Sequence, residues 1–260
     1  MKENVPVSPA ARPVVPDAGS NVSKKGQVAE MFDGIARSYD FLNHFLSMGI
    51  DKGWRKKAIH VIAAKNPKAI LDVATGTGDL AIAANKVLPE AKITGVDIST
   101  GMLEVGRKKM AELNLNDSIQ LLEGDSEALP FEESSFDAVT CAYGVRNFEN
   151  LERGLREMQR VMRPGGKLAV LEFSQPKKFP VAQLYQFYFR AILPLVGKIV
   201  SKHSRAYTYL PESVAAFPEG EAFCALLRKC GFSEINARPL TFGITTLYSA
   251  SKAAPGHLSR

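Results

Sequence analysis

The strongest constraint in this chain is the run Leu71-Asp72-Val73-Ala74-Thr75-Gly76-Thr77-Gly78-Asp79, followed by Gly95-Val96-Asp97. A short apolar segment ends in a glycine-rich turn, and a helical pattern starts at once. Nineteen residues past Gly78, an acid closes a second apolar run. Glycines in such a turn let backbone approach a ligand, and an acid at the end of the second strand can take ribose hydroxyls. The pattern points to an α/β protein that holds an adenosine, with Asp72, Gly76, Thr77, Gly78 and Asp97 around it.

The charges in the turn bear on which adenosine. A dinucleotide places its pyrophosphate at a helix N-terminus, where N–H groups and the dipole favour anions. A carboxylate at Asp79 would repel it. S-adenosylmethionine carries a sulfonium and an ammonium and no phosphate, so acids favour it. Gly76-Thr77-Gly78-Asp79-Leu80-Ala81 also satisfies G-x-G-x-x-A, which keeps a nicotinamide-dependent oxidoreductase as an alternative.

At 260 residues the chain suits one core domain with extensions. Hydrophobic content of 45% and charged content of 23% are ordinary for a soluble enzyme. A net charge of +6 permits attraction to anionic lipid without demanding it. No basic run interleaved with aromatics suggests an RNA groove, so nucleic acid is not an expected partner. Cys141, Cys224 and Cys230 lack C-x-x-C spacing and cannot all pair, which favours a reducing, cytoplasmic setting. His44, His60, His203 and His257 are scattered, so no metal is expected. Residues 1–22, with Pro6, Pro9, Pro13 and Pro16, read as a disordered arm. No uninterrupted apolar stretch reaches the ~18 residues of a membrane span.

Along the chain, Val28, Met31, Phe32 and Ile35 recur at helical spacing. Tyr39 to Arg55 follows as a mixed aromatic, polar and glycine segment. Strands are expected at 69–73, 93–96, 119–122, 136–141 and 167–173, with helices between them. Ser99 and Asn150 are placed to cap two of those helices. Alternating strands and helices imply a mostly parallel sheet covered on both faces. Asp72, Asp97, Asp125 and the Tyr143–Asn147 loop then fall along one ligand-binding edge. Phe179 to Val200 is apolar on nearly every side, either a cover over an apolar pocket or an ordinary buried helix, and Pro194 and Gly197 should kink it. Lys198, Lys202, His203 and Arg205 follow as a small basic cluster. A helix over 221–230 and two closing strands, 232–237 and 244–250, complete the pattern.

The segments LDVATGTGDL, GVDIS, GDSEALPF and RVMRPGGKL resemble methyltransferases in general. Tyr39–Arg55, YGVRN (Tyr143–Asn147), LEFSQP (Leu171–Pro176) and YTYLPES (Tyr207–Ser213) resemble the ubiquinone/menaquinone biosynthesis C-methyltransferases, over about residues 26–252. The resemblance implies a class I S-adenosylmethionine-dependent fold, with a seven-stranded, mostly parallel sheet. It implies C-methylation of a polyprenylated quinol ring, with S-adenosylhomocysteine as product. Residues 23–252 would form one domain, with an N-terminal acceptor-site segment at 23–66 and a helical cover at 177–220, then a flexible tail at 253–260. Peripheral contact with the inner face of a membrane and a homodimer are further expectations. A non-catalytic subunit of a quinone-making assembly is the remaining alternative.

By the family pattern Thr77, Asp97, Asp125 and Ser126 match donor-contacting positions. Asp125 can accept from the adenine amino group. The family commonly carries serine one residue before the aromatic of the fourth-strand loop. Here it is Ala142, so that contact falls to backbone or to Tyr143. Ring methylation needs a phenolate, which Arg146 would stabilise and Asn147 would orient. The other reading of Arg146 is a surface ion pair with Glu149 or Glu152. Tyr39, Asp40 and Asn43 offer a second acid–base set, with Asp40 as proton acceptor, or as an N-cap or partner of Arg37. Tyr143 and Tyr209 would line the acceptor pocket, Tyr185 and Phe189 the prenyl path, and Trp54 would pack.

Overall fold

The computed structural model describes residues 14–47, 49–188, 191 and 205–254, with backbone alone for 41–46, 205 and 207. Seven strands form one sheet in the order β3-β2-β1-β4-β5-β7-β6. They are β1 (Ala69–Val73), β2 (Lys92–Asp97), β3 (Ile119–Glu123), β4 (Phe136–Ala142), β5 (Met162–Phe173), β6 (Phe232–Leu240) and β7 (Thr245–Lys252). The first five run parallel, and β7 pairs antiparallel with both β5 and β6.

A parallel strand covered on both faces reads as a continuous apolar run, because successive side chains point to opposite layers. β1 shows this directly. Ile70 joins one core layer with Ile59, Ile62, Leu80 and Leu103. Leu71 and Val73 join the other with Val139, Leu155, Met158 and Phe223. The first layer is closed by α2 (Ile50–Ala63), α3 (Asp79–Val87) and α4 (Thr100–Glu112). The second is closed by α5 (Leu151–Val161) and by the helix Glu221–Lys229 that precedes β6.

Two caps form as the sequence requires. The Ser99 side chain accepts from Met102 N–H at 3.2 Å, and Asn150 accepts from Arg153 N–H at 3.0 Å. The N-terminal segment is more ordered than its composition implies. Residues 24–46 form one helix, α1, and Gly49, at φ 74°, separates it from α2. Tyr39–Arg55 is therefore mostly helical. Ahead of α1, Asp17 N–H donates to Gln27 Oε1 at 2.8 Å and the Asp17 carboxylate accepts from Gly19 N–H. The first of these bonds ties Asp17 to α1, and residues 1–13 of the expected arm lie outside the described residues.

Two further helices, α6 (Val181–Phe187) and α7 (Arg205–Ala216), follow β5, and Glu221–Lys229 is α8. The kink expected at Pro194 and Gly197, Phe189, and the basic residues Lys198, Lys202 and His203 lie outside the described residues.

Candidate active site

The carboxyl ends of β1 to β4 open into a cleft. Its floor is backbone. Asp97 Oδ2 accepts from Gly76 N–H at 2.7 Å and Oδ1 from Ser99 N–H at 2.9 Å. Gly76 and Gly78 hold φ values of 57° and 81°, which favour glycine, and so turn the chain beneath the cleft. Burial pushes the Asp97 carboxyl up. A carboxylate has about four lone-pair sites, so the two N–H bonds leave acceptor capacity for hydroxyls.

Asp97, Asp125, Ser126, Gly76, Ala142 and Tyr143 all line this cleft. Asp125 Oδ1 accepts from Glu127 N–H at 2.9 Å, and Oδ2 pairs with Lys25 at 2.8 Å. Burial pushes the Asp125 carboxyl up, but the bonds from Lys25 and Glu127 N–H outweigh it and hold the pKa below the usual range.

Four motif residues, Asp72, Thr77, Gly78 and Asp79, support the turn and lie outside the lining. Asp72 accepts from Thr75 Oγ1 and Thr140 Oγ1, each at 2.7 Å, and burial lifts its pKa to about 6. Thr77 Oγ1 donates to Asp40 Oδ1 at 2.5 Å. Gly78 packs against Met110. Asp79 pairs with Lys109 at 2.5 Å and Arg55 at 3.3 Å. Its charge is therefore largely neutralised, which removes much of the phosphate repulsion expected of it from the turn alone.

Asp40 pairs with Lys109 at 2.8 Å as well. It fastens α1 to the turn, and Arg37 is not its partner in that bond. The opposite wall of the cleft is α1 itself, through Lys25, Val28, Phe32 and Tyr39. The backbone of Asn43 lies in the same helix.

The second part of the site surrounds Arg146, in a single 3-10 turn (Val145–Asn147) after β4. Its side chain is only 7% exposed, and its partner is Glu172 of β5 at 2.7 Å. That overturns the surface-pair reading with Glu149 or Glu152. Glu172 is wholly enclosed. Burial works against the Arg146 charge, but Glu172 outweighs it and raises the guanidinium pKa. Arg146 Nη1 also donates to Tyr143 O.

Tyr39 and Tyr209 both lie within the electrostatic reach of Arg146. Burial pushes the Tyr209 phenol up to about 12, with Arg146 pulling it down. Tyr185 is raised by burial too and feels the same opposing field. Tyr143, at φ 61°, stacks on Phe173 at 4.5 Å and leans on Trp54 at 6.4 Å. Trp54 Nε1 donates to Thr241 Oγ1, so Trp54 is a packing residue. Arg146 Nε, Asn147 Oδ1 and the Tyr209 hydroxyl are buried with no hydrogen-bond partner among the described residues.

These observations fit a cationic, phosphate-free donor. The cleft offers the acceptors Asp97 and Asp125. Asp97 would take the ribose, and Asp125 and Ser126 the base.

Sequence reasoning missed Glu172, Lys109 and Lys25. Glu172 carried a signal: an acid inside an otherwise apolar strand has to find a buried partner. The lysines carried none, since their partners lie 30 to 100 residues away.

A family model described as the ubiE/COQ5 methyltransferase family matches residues 20–252. The chain is 47% identical over 234 residues to a demethylmenaquinone methyltransferase of Bacteroides fragilis, covering 90% of this chain and 96% of that protein. It is 43% identical to a ubiquinone/menaquinone biosynthesis C-methyltransferase UbiE of Geobacter sulfurreducens, over 89% of this chain and 91% of that protein. A crystal structure of a methyltransferase from Thermotoga maritima superposes with a TM-score of 0.61 at 19% identity, covering 86% and 98%, which shows the fold. An acid-lined cleft at the carboxyl edge of a 3-2-1-4-5-7-6 sheet thus agrees with those matches, and the nicotinamide alternative falls: the chain belongs to the ubiE/COQ5 methyltransferase family and is an S-adenosylmethionine-dependent methyltransferase of the class I fold.

Proposed function

We propose that this enzyme methylates a ring carbon of a prenylated quinol in quinone biosynthesis, with the demethylmenaquinol ring as acceptor. One observation carries the reading. Beside the donor cleft, a buried cation with an unused N–H stands next to an unused amide oxygen and an unused phenol. Buried polar groups are almost always paired, so three orphans in one place call for a ligand that both donates and accepts. A quinol hydroxyl does both. The names of the relatives point the same way.

Bound S-adenosylmethionine supplies an electrophilic methyl group. The chain must make the ring carbon nucleophilic and hold it in line. Ionising the adjacent hydroxyl, with its proton passing to water, pushes electron density onto that carbon. The carbon–methyl bond forms as the sulfur–methyl bond breaks, and the carbon then loses its own hydrogen as a proton to water, which restores the aromatic ring. Arg146 stays protonated at any working pH, so it stabilises the phenolate and does not itself take the proton. Asn147 Oδ1 accepts from a hydroxyl that keeps its proton. Tyr143, Phe173 and Trp54 exclude water from one side, which strengthens the field of Arg146. Orientation of this kind can contribute on the order of 7–11 kcal/mol.

The prenyl tail and the membrane belong to the same reading. Phe179 and Phe242 are 81% and 82% exposed, and Leu184 and Phe187 of α6 are also exposed. Ser174 joins the two loops by donating to Gly243 O at 2.9 Å. This apolar face supports contact of the protein with a lipid-tailed substrate and with the membrane surface that carries it. No described helix is long and apolar enough to cross a membrane.

The test is transfer of labelled methyl from S-adenosylmethionine to a demethylated quinol extract. Label in the lipid fraction supports the reading. Donor binding without any labelled lipid sinks it in favour of a scaffold. Mass spectrometry of quinones from a strain lacking the protein names the ring: a naphthoquinone lighter by one methyl is expected, and a benzoquinone precursor would redirect the assignment.

A further inference from the structure

Glu172 lies one residue from the end of β5, across from the turn that bears Arg146. A fully enclosed carboxylate is costly unless its oxygens are met. Here they are met largely by one residue. Glu172 Oε1 accepts from Arg146 Nη1 at 2.7 Å, and from Phe173 N–H at 2.8 Å. Glu172 Oε2 lies 3.3 Å from the backbone N–H of the same arginine. The carboxylate thus grips Arg146 at both its main chain and its guanidinium.

The rest of the setting narrows the arginine further. Tyr143 O takes a second bond from Nη1, and the Phe173 ring sits 5.5 Å from the guanidinium carbon. A long arginine side chain otherwise samples many rotamers. With Nη1 filled and one face covered, the edge formed by Nε and Nη2 is left, and Nε on that edge is buried and unpartnered among the described residues, with Tyr209 and Tyr39 in the electrostatic reach of the guanidinium.

We propose that Glu172 is a positioning residue for methyl transfer: it fixes the guanidinium of Arg146 so that the Nε edge, rather than Nη1, meets the acceptor oxygen. This rests on the acceptor reading given above. Glu172 touches neither reacting atom, and its effect on rate passes through Arg146 alone. Its partial neutralisation of the arginine makes the gain one of orientation rather than of field.

The test uses the full chain, with S-adenosylmethionine for turnover and S-adenosylhomocysteine for affinity and spectra, as wild type and as E172Q, E172D, R146Q and R146Q/E172Q. E172Q keeps shape and an acceptor oxygen but loses charge. The expected result is a kcat lower by about 100-fold, with donor affinity and quinol KM within about three-fold. In the R146Q background the same change should alter kcat by less than about three-fold, since residues acting as one unit do not add. Nitrogen-15 arginine spectra give a readout independent of turnover. The Arg146 Nε–H resonance should be sharp and slow to exchange in the wild type, and broadened in E172Q and E172D.

An equal kcat loss in both backgrounds, an unchanged kcat, or an unaltered Nε–H resonance would overturn the proposal. Should E172Q fold poorly, E172D and the double variant carry the same comparison, one with the charge kept and one with both charges removed. If the wild type transfers no methyl to a quinol, the acceptor reading fails separately, and the resonance alone decides whether Glu172 orients Arg146.

Discussion

On the donor side of the cleft, every motif carboxylate ends on a partner the protein supplies. Asp97 holds Gly76 and Ser99, Asp125 holds Lys25, and Asp72 takes two threonine hydroxyls. On the acceptor side, Arg146 Nε, Asn147 Oδ1 and the Tyr209 hydroxyl end on nothing among the described residues. A buried unsatisfied group costs about 1–3 kcal/mol. The donor half is thus a finished scaffold that uses spare lone pairs, whereas the acceptor half holds unmet hydrogen bonds that a substrate completes. The first should tolerate the absence of its ligand. The second should respond most strongly when a ligand arrives.

The sharpest way to break that contrast is Arg146→Ala. It should lower kcat about 1000-fold, a loss in the range of a removed electrostatic stabiliser. Donor affinity, read by calorimetry with S-adenosylhomocysteine, should stay within about three-fold. Stability should also fall, since Glu172 loses its buried partner, at a cost of about 3–5 kcal/mol. A large loss of donor affinity would show that the two halves are one site.

The next effect is a pH dependence confined to the donor scaffold. Asp72 has an ordinary pKa of 3.8, and burial lifts it to about 6 in the native protein. The native state then holds the proton more tightly than the unfolded chain. For this group, stability is greatest below about pH 4 and falls as pH rises towards 6, by about 3 kcal/mol in all. Asp72→Asn removes that loss. Urea unfolding from pH 4 to 7 should show the variant gaining about 3 kcal/mol on the wild type, and a flat difference would refute the burial argument.

Asp97→Ala should weaken the donor by about 100-fold, as two charge-assisted bonds are lost, while quinol affinity holds. Equal donor affinity would remove Asp97 from the ribose. Tyr209→Phe deletes an unpartnered hydroxyl. Stability should change by less than about 0.5 kcal/mol, and the quinol KM should rise about five- to ten-fold for one lost hydrogen bond. The smallest effect belongs to the bond between α1 and the glycine turn. Asp40→Asn breaks a partly exposed pair with Lys109, so stability should fall by less than about 1 kcal/mol. Stopped-flow release of the donor should quicken several-fold, and unchanged release would mean that α1 does not retain it.

The same contrast governs what the amino-acid sequence makes legible. The donor half is legible because its determinants are contiguous. Gly76, Thr77 and Gly78 form one turn, and Asp97 closes the next strand at a fixed distance. Strand alternation places Asp125 and Tyr143 on the same edge without reference to packing. Misreadings arise where distance along the chain is large. Asp79 has the look of an exposed anion, yet Lys109 and Arg55 come to it. Asp40 offers a base or a partner for Arg37 when read alone, and the packing of α1 against α4 gives it Lys109. Arg146 and Glu172 each lie in a family motif, but nothing in either motif says that they pair across 26 residues.

By itself the sequence determined the α/β layering, the glycine turn, the caps at Ser99 and Asn150 and the acids that face a nucleoside, because each depends on local periodicity or on a fixed short spacing. Only the tertiary structure decided which charges are spent and which polar groups are left over. Ion pairing and burial depend on which strand ends and helices are brought together, and that information lies in packing across the sheet rather than in any stretch of neighbouring residues.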